Sequence, residues 1–190
     1  QRIVFRPVPL RRRLLGRGLR LVHRDLLGWL CCGLARGLPH GCRSIGLGLR
    51  ACKAPGALVV YGDLVFNRCA LLPYCYPYNF ERSSLLVDSK GLVRENEVGV
   101  NVVASQVNFF SYSLPVKWAH IAYLARREKD LFQDYSLRHD KSRLFGYEVL
   151  SWMVSRKREL LALEPAGLKL AEVDYSKDLN LVDKIVKQGD

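Results

Sequence analysis

The sequence predicts an α+β fold in which two helices lead into a β-hairpin, with a basic arm before them and a mostly helical extension after them. Residues 56–66 are a run of β-formers interrupted at Gly62 and Asp63, which favours a hairpin with a tight turn and a positive φ at the glycine. Apolar residues recur at roughly helical spacing before and after this run. Apolar residues make up 49% of the chain and aromatic residues 10%, enough for a buried core.

The amino-terminal arm, residues 1–24, is strongly basic. Residues 1–60 hold 12 Lys and Arg residues against the single acid Asp25, whereas residues 61–190 hold 18 against 17 acids. This asymmetry predicts a polyanionic partner. RNA is favoured, and an anionic membrane surface is the main alternative. The arm residues that we expect to bind RNA are Arg11, Arg12, Arg13, Arg17, Arg20 and Arg24.

Residues 25–83 are predicted to form a small RNA-binding domain made of the two helices and the hairpin. A basic, helix-like segment precedes Gly56. We expect its cations to contact the phosphates of a nucleic acid and the strands to form a rigid platform beside them. The residues of this segment that we expect to contact RNA are Arg43, Ser44, Arg50 and Lys53. The residues leave open the alternative of an ordinary hairpin in a globular core.

Residues 84–164 are predicted to be an insert with two helices, and residues 165–190 a carboxyl-terminal strand and tail. Ser113 with Pro115 is typical of a helix start, and an apolar face follows at helical spacing. Asp140 is the predicted cap of the second helix. Two basic clusters on these helices complete the predicted RNA-binding set, namely Arg126, Arg127, Arg156, Lys157 and Arg158.

No catalytic motif is visible in the sequence. The four histidines lack metal-ligand spacing with one another, and neither a phosphate-binding glycine motif nor a nucleophile elbow occurs. The six cysteines include no C-x-x-C pair, which disfavours a zinc site. No run of apolar residues is long enough for a transmembrane helix. We therefore expect no enzymatic activity, no metal, no cofactor and no small-molecule substrate.

The central stretch resembles the RNA-binding fold of the bacterial-type small-subunit ribosomal protein S-four family. Residues 24–35, RDLLGWLCCGLA, are similar to its first helix, residues 44–53 to its RNA-facing helix, and residues 56–62 to its Gly-led strand and turn. Residues 165–175, PAGLKLAEVDY, are similar to its carboxyl-terminal strand. In mitochondrially encoded members a long basic insert separates the two parts, as residues 83–164 would here.

The resemblance implies an organellar member of that family. Such a protein would be a structural constituent of the small subunit of a mitochondrial ribosome, in the matrix, bound to small-subunit rRNA and to neighbouring small-subunit ribosomal proteins. The Arg-rich, acid-poor start, which is similar in composition to a transit peptide, agrees with that location. An accessory subunit of a mitochondrial membrane complex, with its basic arm on anionic lipid, is the alternative. An RNA-modifying enzyme is disfavoured because residues 84–190 carry no catalytic constellation.

Overall fold

The computed structural model describes residues 30–33, 41–75, 81–91, 93, 95, 97–141, 143–173, 180, 182 and 185. These residues form a mixed sheet of seven strands with three α-helices, beside a separate two-stranded sheet. The elements are β1 (Leu30–Gly33), α1 (Gly41–Ala51), β2 (Ala57–Tyr61), β3 (Leu64–Phe66), β4 (Ser84–Asp88), β5 (Val98–Val103), β6 (Gln106–Tyr112), β7 (Val116–Leu124), α2 (Arg126–Ser136), α3 (Gly146–Ser155), β8 (Leu161–Leu163) and β9 (Leu170–Glu172).

The large sheet has the strand order β1-β2-β7-β4-β8-β6-β5. Strands β1 and β2 are parallel, β4 and β8 are parallel, and β7 is antiparallel to both β2 and β4. Strand β5 is antiparallel to β6 and to β7, so five strands, β1, β2, β4, β5 and β8, run in one direction. Because β7 is antiparallel to β2 and β4, its beginning lies at the edge where those strands end, and there Lys117 also pairs with Gly99 of β5.

Both faces of the sheet are covered, which explains the continuous apolar sequence ALVVY of β2. On one face, Val59 belongs to a core with Leu49 of α1, Phe132 of α2 and Met153 of α3. On the other face, Val60 belongs to a second core that includes residues of β3 and of a 3-10 helix at Arg68–Cys75. Alternate residues of β2 thus contribute to opposite layers.

The predicted helix–helix–hairpin domain is wrong. Leu30–Gly33, inside the predicted first helix, is a strand parallel to β2. The chain does turn at Gly62, but Gly62 is not among the described residues with positive φ. Strands β2 and β3 do not form a hairpin, since β2 pairs with β1 and β7, and β3 pairs with β9. Both edges of β2 are thus occupied by other strands, and β3 takes its partner from a segment far away in the chain.

The mostly helical extension is also wrong, because residues 84–172 contribute the six strands β4 to β9 as well as α2 and α3. The helix expected to open at Ser113 and Pro115 is strand β7. Consecutive apolar residues fill β7 because it is central in the sheet, so a helical period among them carried no information. The helix expected from Asp140 onward is α3, which begins only at Gly146. The division of the chain at residues 24, 83 and 164 stays a prediction.

Candidate functional site

Asp63 lies two residues after the end of β2, at the edge where the carboxyl ends of the co-directional strands meet. Open α/β sheets bind their ligands at this edge. The backbone N–H of Val173, just after β9, donates a 2.8 Å hydrogen bond to the backbone oxygen of Asp63. The Oδ1 atom of Asp63 is buried and has no hydrogen-bond partner among the described residues. An unsatisfied buried acceptor is costly, so Oδ1 is a candidate ligand-binding atom.

Lys117, at the start of β7, lies between two carboxylates from different elements. Its Nζ donates a hydrogen bond of 2.8 Å to Oε1 of Glu97, and it lies 2.9 Å from Oε1 of Glu172 in β9. The second contact is an ion pair without hydrogen-bond geometry, since that oxygen accepts no hydrogen bond from the described residues. Burial opposes the charged form, but the two carboxylates outweigh it and raise the pKa of Lys117.

His120 holds a strained backbone conformation beside this cluster. Its φ is +54°, a region that non-glycine residues seldom occupy. The strain sits in a bulge, because β7 advances four residues, from Trp118 to Ala122, where β4 advances two. His120 Nδ1 lies 3.5 Å from Glu172 Oε1. Burial lowers the pKa of His120, and Glu172 only partly opposes this, so the imidazole is neutral at pH 7.

Aromatic rings close the cluster on its inner side. The His120 ring lies 5.1 Å from that of Tyr61 and 4.7 Å from that of Trp118, measured between centroids. Burial, with the nearby charge of Asp63, raises the pKa of Tyr61, which keeps its hydroxyl protonated. The Trp118 Nε1 donor is buried and, within the described part of the chain, unsatisfied.

The electrostatic balance of the site favours a cation. The carboxylates of Asp63, Glu97 and Glu172 against the ammonium of Lys117 leave a formal charge of −2. The described residues contain no group of three or more His, Cys, Asp or Glu side chains that could hold a metal ion. A hard cation at this edge would therefore bring oxygen ligands of its own, as Mg²⁺ does when it is bound to phosphates.

Comparison with solved structures identifies the fold. The inositol-1-phosphate CTP transferase from T. maritima is similar with a TM-score of 0.63 and 17% identity, over 79% of this chain and 64% of that one. A UDP-glucose pyrophosphorylase complexed with UDP-glucose gives 0.60 and 10%, over 80% and 64%. A CMP:2-keto-3-deoxy-manno-octonic acid synthetase complexed with CTP gives 0.53 and 15%, over 78% and 68%. The fold is that of nucleotidyltransferases.

At this level of identity the likeness establishes the fold alone. The chain spans 64% of the length of the first two of these structures. No protein-family model matches the sequence. No curated protein matches it either.

These neighbours contradict the predicted identity and function. The resemblance to ribosomal protein S-four is wrong, because it rested on short Gly- and Leu-rich segments, whereas the chain has a mixed seven-stranded sheet and a fold shared with the solved nucleotidyltransferases. The roles predicted from it, in a mitochondrial small subunit with rRNA and ribosomal proteins as partners, are wrong with it, and the membrane-complex alternative gains no support. The prediction of a non-enzyme without a small-molecule substrate is also contradicted, since the neighbours include a pyrophosphorylase complexed with UDP-glucose and a synthetase complexed with CTP. None of the described helices is long and apolar enough to cross a membrane.

Where the structure describes them, the residues predicted to bind RNA belong to α1, α2 and the segments that follow α1 and α3. Arg43 and Arg50 are exposed on α1, Ser44 is half-buried there, and Lys53 is exposed just after it. Exposed side chains also include Arg126 and Arg127, at the start of α2 rather than at its end, and Arg156 and Lys157 after α3, whereas Arg158 is half-buried. The arm residues Arg11, Arg12, Arg13, Arg17, Arg20 and Arg24 lie outside the described residues. Contact of any of these side chains with RNA stays a prediction.

Sequence reasoning missed Asp63, Lys117, His120 and Glu172 as site residues. One signal was present: an acid that follows an apolar strand directly, as Asp63 follows ALVVYG, is typical of the binding edge of an α/β sheet. The interpretation of Gly62 and Asp63 as a hairpin turn hid it. Nothing in the sequence pattern brings Lys117 or His120 beside Glu172, because the bulge in β7 and the β3–β9 pairing do so.

Proposed function

We propose that this chain belongs to a nucleotidyltransferase that moves a nucleotidyl group from a nucleoside triphosphate to a phosphorylated sugar or polyol. The observation that carries the proposal is Asp63, which lies at the ligand-binding edge of a nucleotidyltransferase fold with a buried, unsatisfied carboxylate oxygen. The named neighbours support the substrate class, because their names and complexes combine inositol-1-phosphate with CTP, or UDP with glucose.

The proposed reaction needs no general base. An oxygen of the acceptor phosphate attacks the α-phosphorus of the triphosphate. The bond from that phosphorus to the oxygen bridging it to the β-phosphorus breaks, and pyrophosphate leaves with the electron pair. The acceptor phosphate is already ionised, so no proton has to be removed. The task of the protein is to bring two polyanions together and to stabilise the leaving group.

Magnesium bound to the triphosphate would supply charge neutralisation in this reaction. The residues fit such an ion, because Asp63 Oδ1 is a buried hard oxygen without a described partner and the surrounding charge is negative. Mg²⁺ in nucleotide sites is commonly held by one or two carboxylates together with substrate phosphates. Asp63 is the residue that would hold it, and Lys117 and His120 are excluded because one is a cation and the other already faces Glu172.

A pyrophosphate-release assay tests the proposal. The full chain is incubated with MgCl₂, each common nucleoside triphosphate, and either inositol-1-phosphate or glucose-1-phosphate. We expect release with at least one pair, and a fall of about 10²-fold or more in Asp63→Asn, in line with the loss of one electrostatic contact to the transition state. Asp130→Asn is the matched control, because Asp130 is an exposed aspartate on α2; it should retain the wild-type rate.

Two results would overturn the proposal. If no pair releases pyrophosphate, and equilibrium dialysis finds no bound triphosphate, the chain does not have this activity. If Asp63→Asn releases pyrophosphate as fast as the wild type, the site lies elsewhere. For location, we propose the mitochondrial matrix on the composition of residues 1–24 alone, and subcellular fractionation tests it.

A further inference from the structure

Asp63 lies at the joint between the two sheets. It occupies the turn between β2, which belongs to the large sheet, and β3, which pairs only with β9 among the described strands. Its Oδ1 accepts no hydrogen bond from the described residues, so the position of that atom depends on the backbone that carries it. The N–H of Val173, the residue after β9, holds this backbone through its 2.8 Å hydrogen bond to the Asp63 oxygen.

The small sheet contacts the large sheet through an apolar part and a polar part. Leu64 of β3 is buried in the second core with Val60 of β2, but apolar packing is non-directional. The polar part is Glu172, which lies opposite Leu64 in the β3–β9 register and whose Oε1 is 2.9 Å from Lys117 Nζ. The side chains of Lys117 and Glu172 are only 10% and 16% exposed. Solvent and salt screen such a contact weakly, so it restricts how far the small sheet can slide on the large one.

Lys117 is held on its other side by Glu97. Its Nζ donates a 2.8 Å hydrogen bond to Glu97, which directly precedes β5 of the large sheet. The ammonium therefore joins a carboxylate beside the large sheet to the Glu172 carboxylate of the small sheet. Without the ammonium these two negative charges would face each other, and like charges repel. A contact that draws β9 toward β7 would become one that separates them.

We infer that Lys117 is a positioning residue for Asp63: it ties β9 to the start of β7, and β9 holds the Asp63 backbone through Val173. The link is short, because Val173 follows Glu172 directly in the chain. Lys117 acts in this way without touching a substrate. The consequence for turnover rests on the proposed function, whereas the hold on Asp63 is a property of the fold alone.

Amide hydrogen exchange measures this hold in the full chain without a substrate. Lys117→Met keeps the approximate length of the side chain and removes its charge. We expect the Val173 amide of this variant to exchange about tenfold or more faster than in the wild type, because its hydrogen bond opens locally. The Val107 amide, which donates a 2.9 Å hydrogen bond to the Leu160 oxygen elsewhere in the fold, should keep its wild-type protection.

A second variant removes the other end of the contact. Glu172→Met leaves Lys117 with Glu97 as its counter-ion, so no buried charge is left unpaired. It should show the same faster exchange at Val173, and it decides the matter if Lys117→Met does not fold. Wild-type protection of Val173 in Glu172→Met overturns the inference.

A lysine ion pair elsewhere in the chain supplies the matched control. Lys141 Nζ lies 3.2 Å from Asp140, whose side chain is 67% exposed. Lys141→Met should leave exchange at Val173 unchanged. An equal loss of protection there in Lys141→Met overturns the inference, because the loss would then not depend on the contact with β9.

Pyrophosphate release shows whether Lys117 acts through Asp63. Displacement of a catalytic group by about 1 Å can cost about 10²-fold in rate, so Lys117→Met, or Glu172→Met in its place, should lower kcat by about tenfold or more. In the Asp63→Asn background the same change should have no further effect, since two residues that act as one unit are not additive. A further tenfold loss in that background overturns the positioning role. If the wild type releases no pyrophosphate, the proposed function fails, and exchange at Val173 still decides this inference.

Discussion

The strained backbone of His120 allows a test in which glycine is expected to be more stable than alanine. Replacement by either residue removes the imidazole from its contacts with Tyr61 and Trp118, whose centroids lie 5.1 and 4.7 Å from it. Aromatic contacts of this kind contribute roughly 0.5–1.5 kcal/mol each beyond their buried area. Both variants should therefore unfold more easily than the wild type, by about 1–3 kcal/mol.

The difference between the two variants isolates the backbone. A residue with a Cβ loses roughly 1–2 kcal/mol in the left-handed region, and His120 has a φ of +54°. Glycine avoids this strain but loses roughly 0.5–1 kcal/mol through its greater freedom in the unfolded chain. His120→Gly should therefore be more stable than His120→Ala by about 0.5–1 kcal/mol.

Urea unfolding at pH 7.5, followed by tryptophan fluorescence, measures this difference. The buried Ala119 lies next to His120 in β7 and is not among the described residues with positive φ. At residue 119 alanine should therefore be more stable than glycine, and Ala119→Gly should destabilise the protein by about 0.5–1 kcal/mol or more. A His120→Ala variant that equals or exceeds His120→Gly in stability would show that the bulge does not strain this residue.

Three further predictions concern stability. Burial holds the pKa of His120 below its ordinary value of 6.5, so as the pH falls through 6.5 the unfolded chain gains a proton at this residue before the folded chain does. The free energy of unfolding should therefore decline toward pH 5.5. In urea titrations His120→Asn should reduce this dependence of stability on pH. Gly46→Ala places a methyl against the Ser136 side chain and should lose about 1–3 kcal/mol, whereas Gly48→Ala meets open space in the same helix and should gain about 0.5–1 kcal/mol; equal melting temperatures would contradict this pair. Lys129 Nζ donates hydrogen bonds of 3.1 and 2.6 Å to two backbone carbonyl oxygens, and Lys129→Met removes this donor. The variant should lose about 1–3 kcal/mol of folding stability; an unchanged stability in calorimetry would contradict this.

The sequence predicts local elements of this fold better than it predicts their partners. The β-formers of residues 56–66 are extended as expected, and the helix-like segment near Ser44 is α1. The errors come from pairing: β1 looked helical because its apolar residues carry no period, and β3 pairs with β9 instead of β2. A short apolar run does not distinguish a buried strand from a buried helix, and its partners are fixed by segments far away in the chain.

The candidate site was harder to predict for the same reason. Asp63 alone had a local signal, its place after a buried strand. The basic charge of the first third of the sequence directed attention to arginines, whereas the cluster at the sheet edge is acidic and contains a single lysine. Its members come from the segments after β2 and before β5, from the start of β7 and from β9, so only the assembled fold brings them together.

The β3–β9 pairing has a consequence for the order of events during synthesis. Asn67 binds the segment that precedes β9 through its side chain, with Nδ2 donating to the Gly167 carbonyl at 2.8 Å, a contact between residues 100 apart in the chain. Such distant contacts form late in folding. A nascent chain that has reached only α3 already possesses Asp63 and Lys117 but not Glu172. Translation therefore has to pass residue 172, and that stretch has to clear the exit tunnel, before the acidic edge is complete.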